Sequence, residues 1–337
     1  MNSIYTRSSA FVSVVIPAYR CGGVIGRTLE SVLGQTRAAD EIIVVDDGSG
    51  DNTAEVVRRY GDKVRYMHQE NAGASAARNT GIAAARGEWI ALLDGDDEWL
   101  PQKLELQMGI LARHPELMWV TGNYLRCLCG AQKRAAELEE HKARRLLAGK
   151  DFFASYFSAL AAGAGGWTGT MVIKRQALIE AGLFRTGQKR ANDLDMWWRV
   201  AHRWPQIGYT PAPVAIYHLG TPESISQGFF DVELYCELIE RHLQLAAEHR
   251  RQAEFAVGAT YMIRKWIRGM LFDARGEDIR RLLRQFNELL DNRYQRKIRM
   301  LTGWPGLTAG VLRMISKVVR TFNLRKRAER PPKESKK

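Results

Sequence analysis

Apolar runs rich in β-branched residues alternate with segments of helical periodicity through the first hundred residues, and that alternation leaves few folds open. Residues 11–16 are a β-branched run closed by Pro17. Residues 23–34 place Val24, Ile25, Leu29, Val32 and Leu33 at helical spacing. A second apolar strand at 41–45 runs into Asp46-Asp47-Gly48-Ser49, and residues 53–60 read as a helix with Asp51 or Asn52 as N-cap. A strand at 64–68, an alanine-rich helix at 72–86 and a strand at 89–93 complete the series. Parallel strands need crossover helices, so this β-α-β-α-β-α-β order predicts an α/β fold with a largely parallel sheet covered on both faces.

Further along, the patterns predict a helix at 101–114, a strand at 117–124 and a charged surface stretch with a helix at 131–150. A glycine-rich stretch at 163–169 precedes a strand at 170–174, then a short helix at 176–182, a helix at 193–202 and a strand at 211–219. Residues 229–300 read as two or three helices.

The strand at 89–93 leads into Asp94-Gly95-Asp96-Asp97. Three carboxylates at one strand end repel each other unless a cation neutralises them. Hard divalent ions such as Mg²⁺ or Mn²⁺ take oxygen ligands and bridge them to phosphates. Open α/β sheets bind ligands at the carboxyl ends of their strands. The cluster therefore points to an enzyme that handles a diphosphate through a divalent cation; the alternative is a solvated acidic turn.

Charge is distributed unevenly. Residues 1–240 hold 26 Lys and Arg against 28 Asp and Glu, whereas residues 241–337 hold 24 against 9. A positive C-terminal region attracts anionic surfaces, lipid or nucleic acid. Within it, Leu307, Val311, Met314, Ile315, Val318 and Phe322 share one helical face, Arg313, Lys317 and Arg320 another, and Arg325-Lys326-Arg327 follow. That pattern suits a helix lying in an anionic membrane interface, or one packed on its own protein. Few aromatics are interleaved with the basic residues, so nucleic acid is not the expected partner. No uncharged apolar run reaches the ~18 residues of a membrane span, and Met1 to Ala10 lack the apolar stretch of a signal peptide. Cys21, Cys127, Cys129 and Cys236 lack zinc-site spacing and read as free thiols in a reducing cytoplasm.

Five motifs, in order, resemble the family 2 glycosyltransferases, whose fold is the Rossmann-like GT-A type. They are Val12-Ser13-Val14-Val15-Ile16-Pro17-Ala18-Tyr19, Ile42-Ile43-Val44-Val45-Asp46-Asp47-Gly48-Ser49, Asn71-Ala72-Gly73-Ala74-Ser75-Ala76-Ala77-Arg78-Asn79-Thr80-Gly81, Leu92-Leu93-Asp94-Gly95-Asp96-Asp97 and Asn192-Asp193-Leu194-Asp195-Met196-Trp197. The resemblance covers residues 11–226 and implies a nucleotide-binding half at 11–100 and an acceptor-binding half at 101–226. A helical extension at 229–300 and a basic amphipathic tail at 304–337 would follow.

The resemblance implies these roles. Pro17 and Tyr19 line the base pocket, and Asp47 accepts a hydrogen bond from the base, with Asp46 able to trade roles or cap the next helix. Arg78 and Asp94 bind the donor nucleotide, and Asp96 and Asp97 hold the divalent cation, Mn²⁺ or Mg²⁺. Gly73 and Gly81 permit close backbone approach. Asp193 is the base of an inverting transfer, kept ionised by its helix N-terminus. The family's usual pattern there is Glu-Asp; Asn192 replaces the Glu and cannot ionise, so Asp193 carries the role alone. Trp167 and His218 fall at the acceptor cleft, His218 standing nearest to a family His that touches the cation or diphosphate.

The implied activity is metal-dependent transfer of a sugar from a nucleoside diphosphate sugar, a UDP-sugar by the resemblance, to a glycan or lipid-linked hydroxyl acceptor. The implied setting is bacterial surface polysaccharide synthesis, at the inner face of the cell membrane. Two rivals stand beside it. A sugar-phosphate nucleotidyltransferase would open with a basic glycine-rich loop, where this chain has Pro17-Ala18-Tyr19-Arg20. A non-enzymatic nucleic-acid or membrane-binding protein would use the tail alone.

Overall fold

The structure, a computed structural model, describes residues 10–128, 134–188, 190–219 and 231–314. Its first half follows the expected alternation: β1 (Val12–Ala18), α1 (Ile25–Leu33), β2 (Glu41–Asp47), α2 (Thr53–Arg58), β3 (Arg65–Gln69), α3 (Ala74–Ala84) and β4 (Trp89–Leu92). Then come β5 (Glu98–Trp99), α4 (Lys103–Arg113), β6 (Trp119–Leu128), β7 (Arg134–Ala136), α5 (Glu140–Leu147), β8 (Phe152–Phe153) and α6 (Tyr156–Ala161). A 3₁₀ turn at Thr168–Thr170 precedes β9 (Val172–Lys174), α7 (Arg175–Glu180), α8 (Asn192–Arg203) and β10 (Ile207–Leu219).

Among the described residues, ten strands join one sheet, ordered β3-β2-β1-β4-β9-β6-β10-β5, with β7 on β6 and β8 on β10. Pairing is parallel throughout β3-β2-β1-β4 and between β6 and β10. Strand β9 runs antiparallel to both of its neighbours and so joins the two parallel parts. β1 and β2 are buried at every position, as expected for strands covered on both faces. Their core packs Val14, Ile16 and Val44 with Ile25 and Leu29 of α1 and Leu104 of α4.

Two details correct the sequence reading. Pro17 does not end β1; it lies inside the strand, opposite Val45. Val15 faces β4, its carbonyl accepting from the Leu93 N–H, and Pro17, two residues on, faces the same way beyond the last β1–β4 pair, Val15 with Leu92. Its missing N–H therefore breaks no ladder bond. Gly81 serves close approach, since a Cβ there would meet Val15 Cγ1 at 2.4 Å, but Gly73 has open space and is needed for its φ of +88° at the start of α3.

The chain divides into two compact units, Met1–Phe230 with Arg241–Phe255, and Asp231–Glu240 with Ala256–Lys337. Among the described residues, the stretch expected to hold two or three helices, 229–300, has four: α9 (Val232–Glu248), α10 (Gln252–Phe272), α11 (Gly276–Gln285) and α12 (Asn292–Thr302). A further helical segment covers 305–314. Within the second unit, Ile279, Leu282 and Leu283 of α11 are buried, Tyr235 packs at a tilt against Trp266 with centroids 4.3 Å apart, and Arg281 pairs with Glu233. Among the described residues, no helix is long and apolar enough to cross a membrane.

Candidate functional site

The carboxyl ends of β1, β2 and β4 converge, with Ala18 opposite Asp46, and the acidic turn leaves β4 there. The Asp97 N–H closes the turn on the Asp94 carbonyl at 3.1 Å. α1 holds the turn from outside: Thr28 Oγ1 donates to the carbonyls of Gly95 and Asp97, and Arg27 Nη2 to that of Asp96 at 2.8 Å. Gly95 is packed so closely that a Cβ would meet Cys21 Sγ and the Pro17 carbonyl at 3.1 Å.

The turn sends its carboxylates into different surroundings. Asp94 pairs with Arg78 Nη2 at 2.6 Å. Asp96 is half-buried. Asp97 is fully buried; its Oδ1 accepts the His218 N–H at 2.8 Å, while Oδ2 has no hydrogen-bond partner. Burial, then repulsion from Asp96 and Asp94, pushes the Asp97 carboxyl well above its ordinary range. The Trp167 indole N–H acts in the opposite direction but falls short of hydrogen-bond geometry. Among the described residues, no three His, Cys, Asp or Glu side chains converge as a ready-made ligand set.

His218 is buried and its Nε2 lies 2.6 Å from Glu98 Oε1, which also pairs with Arg27 Nε at 3.1 Å. Its imidazole is thus engaged with Glu98, and its main chain supports Asp97. Sequence reasoning passes over Glu98 and Arg27, although Glu98 directly continues the acidic run. Trp167 is half-buried between Tyr124 and Tyr217, with ring centroids 4.5 and 5.3 Å away.

At the end of β2 the two aspartates do separate work. Asp46 accepts from the Ser49 N–H and the Tyr66 hydroxyl, so it closes the turn rather than capping a helix; Asp51 accepts from the Thr53 N–H at the start of α2. Asp47 accepts from Gln69 Nε2, the Ala72 N–H and the Gly73 N–H, shaping the entry to α3. A carboxylate offers about four acceptor sites, so Asp47 keeps one to spare. Pro17 is buried beneath, and Tyr19 is 45% exposed at the strand's end. Arg20 follows with φ +47°, its N–H bonded to Ser49 Oγ and its guanidinium over the Tyr19 ring.

Arg78 is buried, and its Nε and Nη1 have no partner within the protein. Its charge and that of Asp94 both act on Asp193, so α3, the acidic turn and α8 meet electrostatically. Asp193 is half-buried in the first turn of α8, and its Oδ1 accepts the Leu194 N–H at 2.7 Å. The expectation from the helix N-terminus was a favoured carboxylate. Instead burial pushes the Asp193 carboxyl up, with Arg78 opposing and Asp94 adding to the rise.

Asp195 has a different environment. It is fully buried and contacts Arg185, Arg199, Arg241 and His242. Despite its burial, the His242 hydrogen bond and the Arg199 charge hold its carboxyl well below the usual range. The Asp195–Arg199 pair was signalled by its i, i+4 spacing; the other partners had no local signal.

A model of the glycosyl transferase family 2 matches residues 13–181, half of the chain. Over 100 residues the chain is 45% identical to the uncharacterized glycosyltransferase YibD of Escherichia coli (strain K12), a match covering 29% of each chain. Over 115 residues it is 39% identical to the Escherichia coli UDP-Glc:alpha-D-GlcNAc-diphosphoundecaprenol beta-1,3-glucosyltransferase WfgD, covering 34% of this chain and 45% of that one. The matched region spans less than half the length of these curated relatives. The structure of S. aureus TarS in complex with UDP-GlcNAc superposes with a TM-score of 0.68 at 16% identity, over 89% of this chain and 88% of that one. That likeness shows a shared fold, the GT-A arrangement of a central sheet flanked by helices, with a helical C-terminal region. With its model matching half the sequence, this chain belongs to glycosyl transferase family 2.

Proposed function

We propose that the protein transfers a sugar, with inversion at the anomeric carbon, from a UDP-sugar to a hydroxyl group of a glycan or lipid-linked acceptor. The observation that carries this reading is Arg78: a buried cation with two unpartnered guanidinium nitrogens, Nε and Nη1, paired with Asp94 and acting on Asp193. Unpartnered guanidinium donors suit diphosphate oxygens. Asp193 takes the proton of the acceptor hydroxyl as its oxygen bonds to the anomeric carbon. The bond from that carbon to the diphosphate breaks, and the nucleoside diphosphate leaves with the electron pair. A carboxylate whose proton affinity is raised by burial is a stronger base than an ordinary one. TarS bound to UDP-GlcNAc and a relative named for UDP-Glc and an undecaprenol-linked acceptor support the choice of donor and acceptor classes.

A divalent cation, Mn²⁺ or Mg²⁺, fits the acidic turn. The unpartnered, buried Oδ2 of Asp97, repelled by Asp96 and Asp94, is the feature a cation would answer. Asp96 and Asp97 would hold it, and when bound it supplies neutralisation of the charge on the departing diphosphate. In this reading Pro17, Tyr19 and Asp47 receive the base, Trp167 lines the acceptor cleft, and His218 supports Asp97. Residues 11–226 form the catalytic domain, followed by the helical extension at 229–300 and the tail at 304–337.

The C-terminal region would hold the enzyme on an anionic membrane surface. Leu307, Val311 and Met314 form an exposed apolar stripe, which continues back to Met300 and Trp304, more than 70% exposed. Arg293, Arg296, Lys297 and Arg299 are exposed on the neighbouring helix α12. Arg313 does not join the basic face; its guanidinium donates to the Phe272 carbonyl. Ile315, Lys317, Val318, Arg320, Phe322 and Arg325-Lys326-Arg327 lie outside the described residues. Truncation after Gly303 should abolish pelleting with anionic liposomes; undiminished pelleting would remove this stripe as the anchor.

The reaction is tested by screening nucleotide sugars for Mn²⁺-dependent hydrolysis and thermal stabilisation, with Asp193→Asn as the companion variant. Transfer should be lost in Asp193→Asn while UDP binding persists. Near-normal turnover would remove Asp193 as the base. Release of pyrophosphate from a sugar phosphate and a nucleoside triphosphate would replace the transfer reaction altogether.

A further inference from the structure

We infer that Asn79 is a positioning residue that fixes the base-bearing helix against the donor-binding helix through the main chain of Phe184. This inference rests on the roles given above to Arg78 and Asp193. Asn79 lies beside Arg78 on α3, and its side-chain amide grips Phe184 with two bonds. Nδ2 donates to the Phe184 carbonyl at 2.8 Å, and Oδ1 accepts the Phe184 N–H at 3.0 Å. The two residues are 105 apart in sequence, so the contact encodes no local turn.

The gripped segment lies between α7 and α8, and its described residues take unusual backbone conformations. Gly182, Leu183, Gly187 and Ala191 all have positive φ, and non-glycine residues adopt that conformation only under support. Arg199 and Asp195 tie the segment to α8 itself, through the Leu183 carbonyl and Arg185. Asn79 ties it to the donor side. The Phe184 ring completes the connection: the Arg78 guanidinium lies over it at 5.3 Å, and it packs edge-on against Trp197 of α8 at 5.6 Å. A continuous path therefore runs from Asn79 through Phe184 and Trp197 to the helix that carries Asp193. Displacement of a reacting group by about an ångström can lower rates by about two orders of magnitude.

The test measures transfer kinetics and UDP-sugar affinity for Asn79→Ala, beside Asp193→Asn. Asn79→Ala should lower kcat by roughly ten- to a hundredfold, with the Kd for the UDP-sugar within about twofold of native. A kcat within twofold of native, or an affinity that falls in step with kcat, overturns the inference. Asn79→Asp keeps the acceptor to the Phe184 N–H and loses the donor, so it is read in the same way if Asn79→Ala does not fold. If neither variant retains UDP-dependent thermal stabilisation, Asn79 is a residue of the fold alone and the inference fails. An Asp193→Asn variant that still transfers would instead sink the underlying reading of the base.

Discussion

Replacing Asp195 by Asn keeps the shape of the buried cluster and removes its single negative charge. Arg185 and Arg241 are 45% and 31% exposed, so both can turn towards water. Each of those pairs is worth at most about 1 kcal/mol. Arg199 cannot turn away: its side chain is 8% exposed, it bonds Asp195 at 2.8 Å, and its other N–H groups donate to the Ala181 and Leu183 carbonyls. Leaving a buried cation unpaired costs roughly 3–5 kcal/mol. For a unit of this size each kcal/mol lowers Tm by about 2–4 °C, so Asp195→Asn should melt roughly 6–20 °C below native. Denaturation in urea across pH gives the decisive signature. The Asp195 carboxyl is depressed in the folded state, so its stabilisation is complete above the ordinary carboxylate pKa and fades only as pH falls below that value. The deficit of the variant should therefore be constant from about pH 5 to 8 and close only on further acidification. A deficit under about 1 kcal/mol at pH 7, or one that shrinks between pH 8 and 6, would refute Asp195 as the charge partner of Arg199.

Burial pushes the His202 imidazole down to about 3, so its neutral form stabilises the fold fully above the ordinary value of 6.5 and less as pH drops from there towards 3. Native stability should fall across that window by up to about 1.4 kcal/mol per pH unit from this group, and a His202→Gln variant should flatten the profile. Gly81→Ala would normally strengthen a helix by about 1 kcal/mol, but the new Cβ meets Val15 Cγ1 at 2.4 Å. Overpacking of this kind costs roughly 1–3 kcal/mol, so a raised melting temperature would refute the close packing of α3 on β1.

The order of strands and helices was legible because buried strands and amphipathic helices leave different apolar periods. The clustering of Asp46, Asp47 and Asp94 to Asp97 at strand ends followed from that order. β5 and β8, of two residues each, have no period to read. The number of C-terminal helices was obscured because the chain turns at Arg250 and Ala274, both with positive φ and neither a glycine. Sequence carries no mark of such a turn when the residue that makes it is not the one that favours it. Asn79 was visible in its motif, but its partner Phe184 was not, since the pairing is with main-chain groups that any residue possesses.

Asp193 and Asp195 show why a motif cannot assign roles by position alone. Both sit in the first turn of α8, where the helix dipole favours a negative charge. If that field decided matters, both carboxyls would be depressed, yet one is raised and the other lowered. Residues two apart on a helix point to nearly opposite sides, so the pair meets different neighbours. Asp195 turns inward to three guanidinium groups and an imidazole. Asp193 has one main-chain N–H and a more distant Arg78, too little to offset the loss of water. The count of compensating partners therefore outweighs the dipole. It makes Asp195 a fixed anion of the fold and leaves Asp193 the carboxyl with the raised proton affinity.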